Sequence, residues 1–291
     1  MPKGTIIKAL SGYYYVLNED GIFQCRGRGN FRKRKLTPLV GDEVEFQAEN
    51  RTDGYVLSIL ERKNELVRPP IANVDQALLI FSVLRPTFSS LLLDRFLIHV
   101  EANDILPIIC VSKLDLVDSY EELKDTLDAY RQIGYQVIET SSIDETGLED
   151  IRDLFENKVT VIAGQSGVGK STLLNALNPE LKIDTDEISD HLGRGKHTTR
   201  HVELISFGEG FVADTPGFSS LDFINIESEE LTLYFPEMRE LLPTCKFRGC
   251  THTSEPKCAV KAALEAGEIA RFRYEHYQQF LQEIKDQKRR Y

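Results

Sequence analysis

Eight consecutive residues, Gly164 to Ser171 (GQSGVGKS), satisfy the spacing G-x4-G-K-[ST]. That spacing carries a chemistry. Its glycines let successive backbone N–H groups curl around phosphate oxygens. Lys170 would reach the β- and γ-phosphates of a nucleotide and act in catalysis, and the Ser171 hydroxyl would serve Mg²⁺. The helix expected from KSTLLNAL adds the favourable dipole of its N-terminus. Gly164, Gln165, Ser166, Gly167, Val168, Gly169, Lys170, Ser171 and Thr172 are therefore the expected phosphate-binding residues. The alternative is a glycine-rich turn with an incidental lysine. The apolar strand KVTVIAG before the loop and the helical pattern after it argue against that.

A phosphate loop does not choose its base. Ser112 to Asp115 (SKLD) follows the apolar run PIICV and resembles the N-K-x-D motif that reads guanine. The Asp115 carboxylate can accept two hydrogen bonds from the ring N–H and exocyclic amine of guanine. Adenine lacks that donor pair and would leave the carboxylate unsatisfied. The Lys113 stem can lie along the base plane, and Ser112 stands where the motif has Asn. Thr140 to Gly147 (TSSIDETG) resembles the loop whose backbone N–H meets the guanine carbonyl, with Ser141 and Ser142 as the expected contacts. Its usual lysine is missing, since Ile143 follows Ser142.

Asp214 to Gly217 (DTPG) fits D-x-x-G. Asp214 is expected in the Mg²⁺ surroundings and the Gly217 N–H opposite the γ-phosphate. Many GTPases place Gln next to orient the attacking water. Phe218 occupies that place and cannot hydrogen-bond water, so slow intrinsic turnover follows. His197, in GRGKHTT, is the expected polar substitute, set against a solvated loop histidine; one of Thr198 and Thr199 is expected on Mg²⁺. The order is unusual. The base-reading pair precedes the phosphate loop and DTPG, whereas ordinary GTPases run the other way. A parallel sheet tolerates such a permutation when old termini join and new ones open elsewhere. The chain then leaves DTPG straight into its C-terminal part, a position that can couple γ-phosphate contacts to whatever is attached.

A second chemistry sits downstream. Cys245, Cys250, His252 and Cys258 lie within fourteen residues. Three sulfur donors and one imidazole suit tetrahedral Zn²⁺ in a closed structural site. Five cysteines in all, an odd number, argue against a secreted disulfide framework, and Cys25 and Cys110 read as core residues.

The elements that must position these residues fall into three parts. Residues 1–66 hold five short β-branched or aromatic runs, expected as a small barrel, an OB-fold first and an SH3-like barrel second. VRPP then reads as a linker. Residues 67–222 alternate apolar strands with helical stretches at roughly 89–103, 119–133 and 148–156, the grammar of an α/β doubly wound sheet. Residues 223–291 are expected to be a mostly helical metal-binding unit, with ESEELTLYFPEMRELL helical and 259–288 one or two further helices.

Net charge is −11, which taken alone argues against a nucleic-acid partner, but the charge is uneven. Residues 26–35 carry Arg26, Arg28, Arg32, Lys33, Arg34 and Lys35 and no acid, with Phe31 among them. That mixture suits phosphate contact and base stacking. Lys246, Arg248 and Lys257 would add a second basic footing. No run of 18 apolar residues and no apolar leader are present, so no membrane partner and a cytoplasmic location are expected.

The small N-terminal barrel, the order SKLD–GQSGVGKS–DTPG, the segment GRGKHTTRH and the Cys-Cys-His-Cys cluster together resemble the circularly permuted, ribosome small-subunit-dependent GTPases of the RsgA family, over the whole chain. The resemblance implies slow GTP hydrolysis stimulated by the small (30S) ribosomal subunit, contact with 16S rRNA and a role in late maturation of that subunit. GTP or GDP with Mg²⁺, one structural Zn²⁺ and a monomeric chain complete the expectation. The competing reading is a nucleotide-gated RNA-binding assembly factor whose hydrolysis is incidental.

Overall fold

The structure is a computed structural model that describes residues 1–28, 31, 36–67, 69–181, 202–214, 221–223 and 226–288. Strands β1 (Lys3–Leu10), β2 (Tyr13–Asn18), β3 (Gly21–Gly27), β4 (Glu43–Asn50) and β5 (Asp53–Ile59) close a barrel in the order β1-β2-β3-β5-β4. β3 pairs with β5 in parallel and β1 returns to β4, which is the OB arrangement and not the SH3-like one. Ile6, Val16, Cys25, Val44, Phe46 and Val56 fill the interior. Phe31 joins them at 9% exposure, so the base-stacking role expected for it is overturned: its ring completes the barrel core. A short hairpin, β6 (Glu65–Leu66) with β7 (Ile71–Ala72), leads out of the barrel.

The central unit is a six-stranded sheet of β8 (Gln76–Ser82), β9 (Leu106–Ser112), β10 (Gln136–Glu139), β11 (Val159–Ala163), β12 (Leu204–Phe207) and β13 (Gly210–Asp214), ordered β10-β9-β8-β11-β13-β12. All neighbours are parallel except the edge strand β12, which leads antiparallel into β13. Every residue of β8 is buried, as a strand covered on both faces requires. Helices α1 (Ser90–Glu101) and α2 (Glu121–Ile133) pack Leu93, Leu97 and Leu127 on one face. Helices α3 (Leu148–Leu154) and α4 (Lys170–Leu177) pack Ile151, Leu173 and Leu174 on the other.

The segment expected as one helix over 227–242 is broken. It forms a 3-10 turn at Leu231–Tyr234, a single turn α5 (Pro236–Arg239) and a second 3-10 turn at Leu242–Thr244. Pro236 has no N–H to donate and starts a helix instead of continuing one. Helices α6 (Ala259–Ala266) and α7 (Arg271–Lys288) follow. α7 is locked to the central unit through Arg273, which is 1% exposed and ion-paired to Asp94 of α1 at 2.6 Å and to Glu237 of α5 at 2.7 Å. Tyr130 and His276 also bond Asp94, at 2.5 and 2.6 Å, so the buried charges are saturated with partners.

Candidate nucleotide site and metal centre

The phosphate loop and both base-reading loops leave the carboxyl ends of parallel strands of one sheet: SKLD from β9, TSSIDETG from its neighbour β10, and GQSGVGKS from β11 on the far side of β8. The strand order reverses between β8 and β11, the crevice where open α/β sheets take ligands. DTPG begins on the last residue of β13, and Asp214 sits in register with Ile162 of β11.

The phosphate loop is built on backbone that side chains would forbid. Gly164 has φ +150°, and a Cβ there would lie 2.2 Å from the Ile80 carbonyl oxygen. Gly169 is left-handed at φ 96° and caps α4, placing Ser171, 5% exposed, in its first turn. Lys170 Nζ reaches back across the loop to the Gly164 and Gln165 carbonyls, at 3.0 and 2.8 Å. Gln165, Ser166, Gly167 and Thr172 face solvent, while Val168 is fully buried. Such a cradle fits a phosphate chain with its cation.

The base-reading loop is bonded directly to the phosphate loop. Ser112 Oγ donates to the Val168 carbonyl at 2.6 Å. Lys113, left-handed at φ 63°, donates from Nζ to the Gly167 carbonyl and, at 2.7 Å, to that of Arg85. Its stem runs past Gly169, 3.6 Å from where a Cβ would stand. Ser141 Oγ donates to Asp115 Oδ1 at 2.9 Å and accepts the N–H groups of Ile143 and Asp144. Ser142 is next to it, half-buried. The structure thus brings Ser112, Lys113, Asp115, Ser141 and the phosphate loop into one crevice. Neither the Arg85 carbonyl nor the partner of Ser112 is legible in the sequence, because both contacts join residues far apart in the chain. His197, Thr198, Thr199, Gly217 and Phe218 lie outside the described residues, as do Arg32, Lys33, Arg34 and Lys35.

The four metal-type donors come together at one point. The ligand atoms of Cys245, Cys250, His252 and Cys258 all lie within 4.8 Å of one another. His252 Nδ1 is 3.8 Å from the Cys245 sulfur and 3.2 Å from that of Cys258. A tetrahedral ion with sulfur at about 2.3 Å and nitrogen at about 2.0–2.1 Å needs donor separations of roughly 3.6–3.8 Å, and this set lies within about 1 Å of that. Burial pushes the Cys250 thiol up to about 12 and His252 down. The neutral imidazole is the form a metal takes, and a bound cation reverses the burial effect on a thiol. Glu255 holds the loop by accepting from the Thr251 and Thr253 N–H groups at 2.7 and 2.8 Å. Tyr274 fixes His252 by donating to its carbonyl at 2.6 Å. Phe247, 42% exposed between Lys246 and Arg248, went unnoticed in the sequence, where a lone aromatic carries no signal. On the barrel, Arg26 and Arg28 are exposed, and Arg26 lies over the Tyr13 ring at 5.2 Å.

Residues 59–224 match the RsgA GTPase family and residues 3–56 the RsgA N-terminal domain. The small ribosomal subunit biogenesis GTPase RsgA of Halalkalibacterium halodurans is 69% identical, over 100% of this chain and 99% of that protein. The protein of the same name from Bacillus subtilis is 62% identical over 100% of both. Among solved structures, YloQ, titled a circularly permuted GTPase, superposes with a TM-score of 0.84 at 56% identity, over 99% of this chain and 96% of that one. YjeQ from Thermotoga maritima gives 0.85 at 36% identity, over 97% of this chain and 98% of that one. With both matched regions, full-length relatives and the permuted strand order in agreement, the chain belongs to the RsgA GTPase family.

Proposed function

We propose that this GTPase hydrolyses GTP slowly, binds the small (30S) ribosomal subunit through 16S rRNA, and is stimulated by it during late maturation. The observation that carries the nucleotide reading is the direct bonding of the base-reading loop to the phosphate loop, Ser112 to Val168 and Lys113 to Gly167. The names of the full-length relatives support the ribosomal partner.

In this reading Asp115 takes the two guanine donors while Ser141 holds its carboxylate, and Ser142 offers backbone to the guanine carbonyl. The N–H groups of 164–172 and Lys170 surround the phosphates. Ser171, Asp214 and one of Thr198 and Thr199 would hold Mg²⁺, whose charge neutralises the β- and γ-oxygens. Gly217 meets the γ-phosphate. With Phe218 in the water-orienting place, His197 positions the water. Arg26, Arg28, Arg32, Lys33, Arg34 and Lys35 contact rRNA phosphates. Cys245, Cys250, His252 and Cys258 would hold one structural Zn²⁺, which ties down loops that bury little apolar surface of their own. The working protein is a cytoplasmic monomer; no helix among the described residues is long and apolar enough to cross a membrane. Phe218 also keeps the second reading in play, a nucleotide-gated RNA-binding factor with incidental hydrolysis. The test is GTP turnover titrated with isolated small subunits. Saturable stimulation is expected; turnover indifferent to subunits that nevertheless bind the GTP form favours the second reading.

A further inference from the structure

The stretch that follows DTPG is clamped between two helices. Leu221 to Phe223 lie four to six residues beyond Gly217. Arg95 of α1 donates from Nη1 to the Leu221 carbonyl at 3.2 Å. The same guanidinium makes a forked pair with Glu283 of α7, at 2.8 and 2.5 Å. Its Cζ lies over two aromatic rings, Phe223 at 4.6 Å and Phe280 at 4.8 Å, which meet each other edge to face. His99, one turn further along α1, stacks on Phe223 with ring centroids 5.5 Å apart. Positions 95 and 99 share one helix face, and that face reads the chain as it leaves the phosphate site.

One side chain thus touches three things at once: the backbone after DTPG, the central unit that carries it, and the C-terminal helix. Arg95 is 18% exposed and Glu283 31%, so the fork is shielded but not sealed. A planar guanidinium with bonds on its edge and two rings packed against it is held in one orientation. Any shift of α7 must therefore be felt at the Leu221 carbonyl, and the reverse.

The geometry points to Arg95 as a positioning residue for GTP hydrolysis: it sets the segment following DTPG against the C-terminal helix, so that the phosphate site and the C-terminal unit move together. The inference rests on the reading of Asp214 to Gly217 as the γ-phosphate segment. Arg95 touches neither nucleotide nor water; it acts through Leu221.

The experiment is single-turnover GTP hydrolysis, with and without small subunits, alongside GTP and GDP affinity and Tm, for R95A, R95K, E283Q, R95A/E283Q, M238A and D214A. R95A is expected to slow hydrolysis about tenfold while both affinities stay within about twofold, the range of a coupling residue away from the ligand. R95K recovers part of the rate, because a lysine keeps the charge but not the fork. E283Q slows hydrolysis less than R95A, and R95A/E283Q is no slower than R95A, since both act through one contact. M238A, a cavity in the C-terminal core, lowers Tm and leaves the rate alone. If R95A behaves like M238A, or if the R95A and E283Q losses multiply, the positioning role is wrong. D214A hydrolysing at the parent rate overturns the γ-phosphate reading and the inference with it. A slow D214A beside a parental R95A removes only the role of Arg95.

Discussion

Ser112 stands where an asparagine would be expected, and its consequence can be worked from a single contact. Its hydroxyl, 5% exposed, donates at 2.6 Å to the carbonyl of Val168, which is fully buried. Ser112→Ala removes the donor and leaves that carbonyl short of a partner where water does not reach. A lost hydrogen bond costs about 1 kcal/mol, and a buried group left unsatisfied costs about 1–3 kcal/mol. The contact joins the base-reading loop to the phosphate loop, so the cost falls on any ligand that needs both. A penalty of about 1–2 kcal/mol corresponds to roughly five- to thirtyfold weaker binding. GDP and GTP should weaken equally, because the γ-phosphate is not involved. Ser112→Asn should restore affinity by offering an amide donor to the same carbonyl. The assay is fluorescent-nucleotide titration with GDP and a non-hydrolysable GTP analogue. Unchanged affinity, or a loss confined to the GTP form, would refute the claim that Ser112 holds the two loops in register.

Four further outcomes are expected. Asp115→Asn should lose guanine selectivity and gain relative affinity for xanthine nucleotide, whose carbonyl the amide can face; equal GTP affinity before and after sinks the base assignment. Native mass spectrometry should find one Zn²⁺ per chain, and Cys250→Ser should release it and loosen the C-terminal unit while nucleotide binding stays largely intact; metal-free protein that melts unchanged argues against a structural site. Replacing Arg32, Lys33 and Arg34 with Ala should weaken small-subunit binding and flatten its salt dependence without moving GTP affinity; an unaltered salt slope returns the loop to an ordinary solvated face. His197→Ala should keep nucleotide and subunit binding but slow stimulated turnover by roughly tenfold or more, whereas Lys170→Ala should damage binding as well; parental turnover in the His197 variant means another group positions the water.

The chemistry of short spacings was readable in advance because it is local. GQSGVGKS needs only eight residues and its flanks. The buried strands showed as apolar runs for the same reason, since a strand covered on both faces leaves no polar position to hide it. What could not be read is what long-range packing decides. Phe31 sits in a run of cations, yet its ring serves the barrel core. Residues 227–242 have the composition of a helix, but Pro236 divides them. The antiparallel strand β12 was missed because it is only four residues long, with both of its termini packed inward. Arg273 looks like any charge on an amphipathic helix. Its burial depends on Asp94, 179 positions away, and no periodicity announces that.

The two flanking units are fastened to the central unit by different chemistry. The barrel shares one apolar core with the central unit, where Ile7 belongs to the same buried cluster as Val202 and Leu204, and beside that core it meets the chain at Glu203. There β1 forms a single bridge, and Lys8 pairs with Glu203 at 2.7 Å. Those side chains are 34% and 36% exposed, and an ion pair so wet contributes about 0–1 kcal/mol. The C-terminal unit meets the exit of DTPG through a forked ion pair, two ring faces and a carbonyl, backed by the buried Asp94–Arg273 pair. Removing one partner of a buried pair costs about 3–5 kcal/mol. The barrel is thus held by apolar packing more than by charge, while α7 cannot move without disturbing Leu221. Strain applied to the C-terminal unit would therefore reach the exit of DTPG through directed bonds on the edge of Arg95, whereas strain applied to the barrel meets a shared apolar core, whose attraction has no direction.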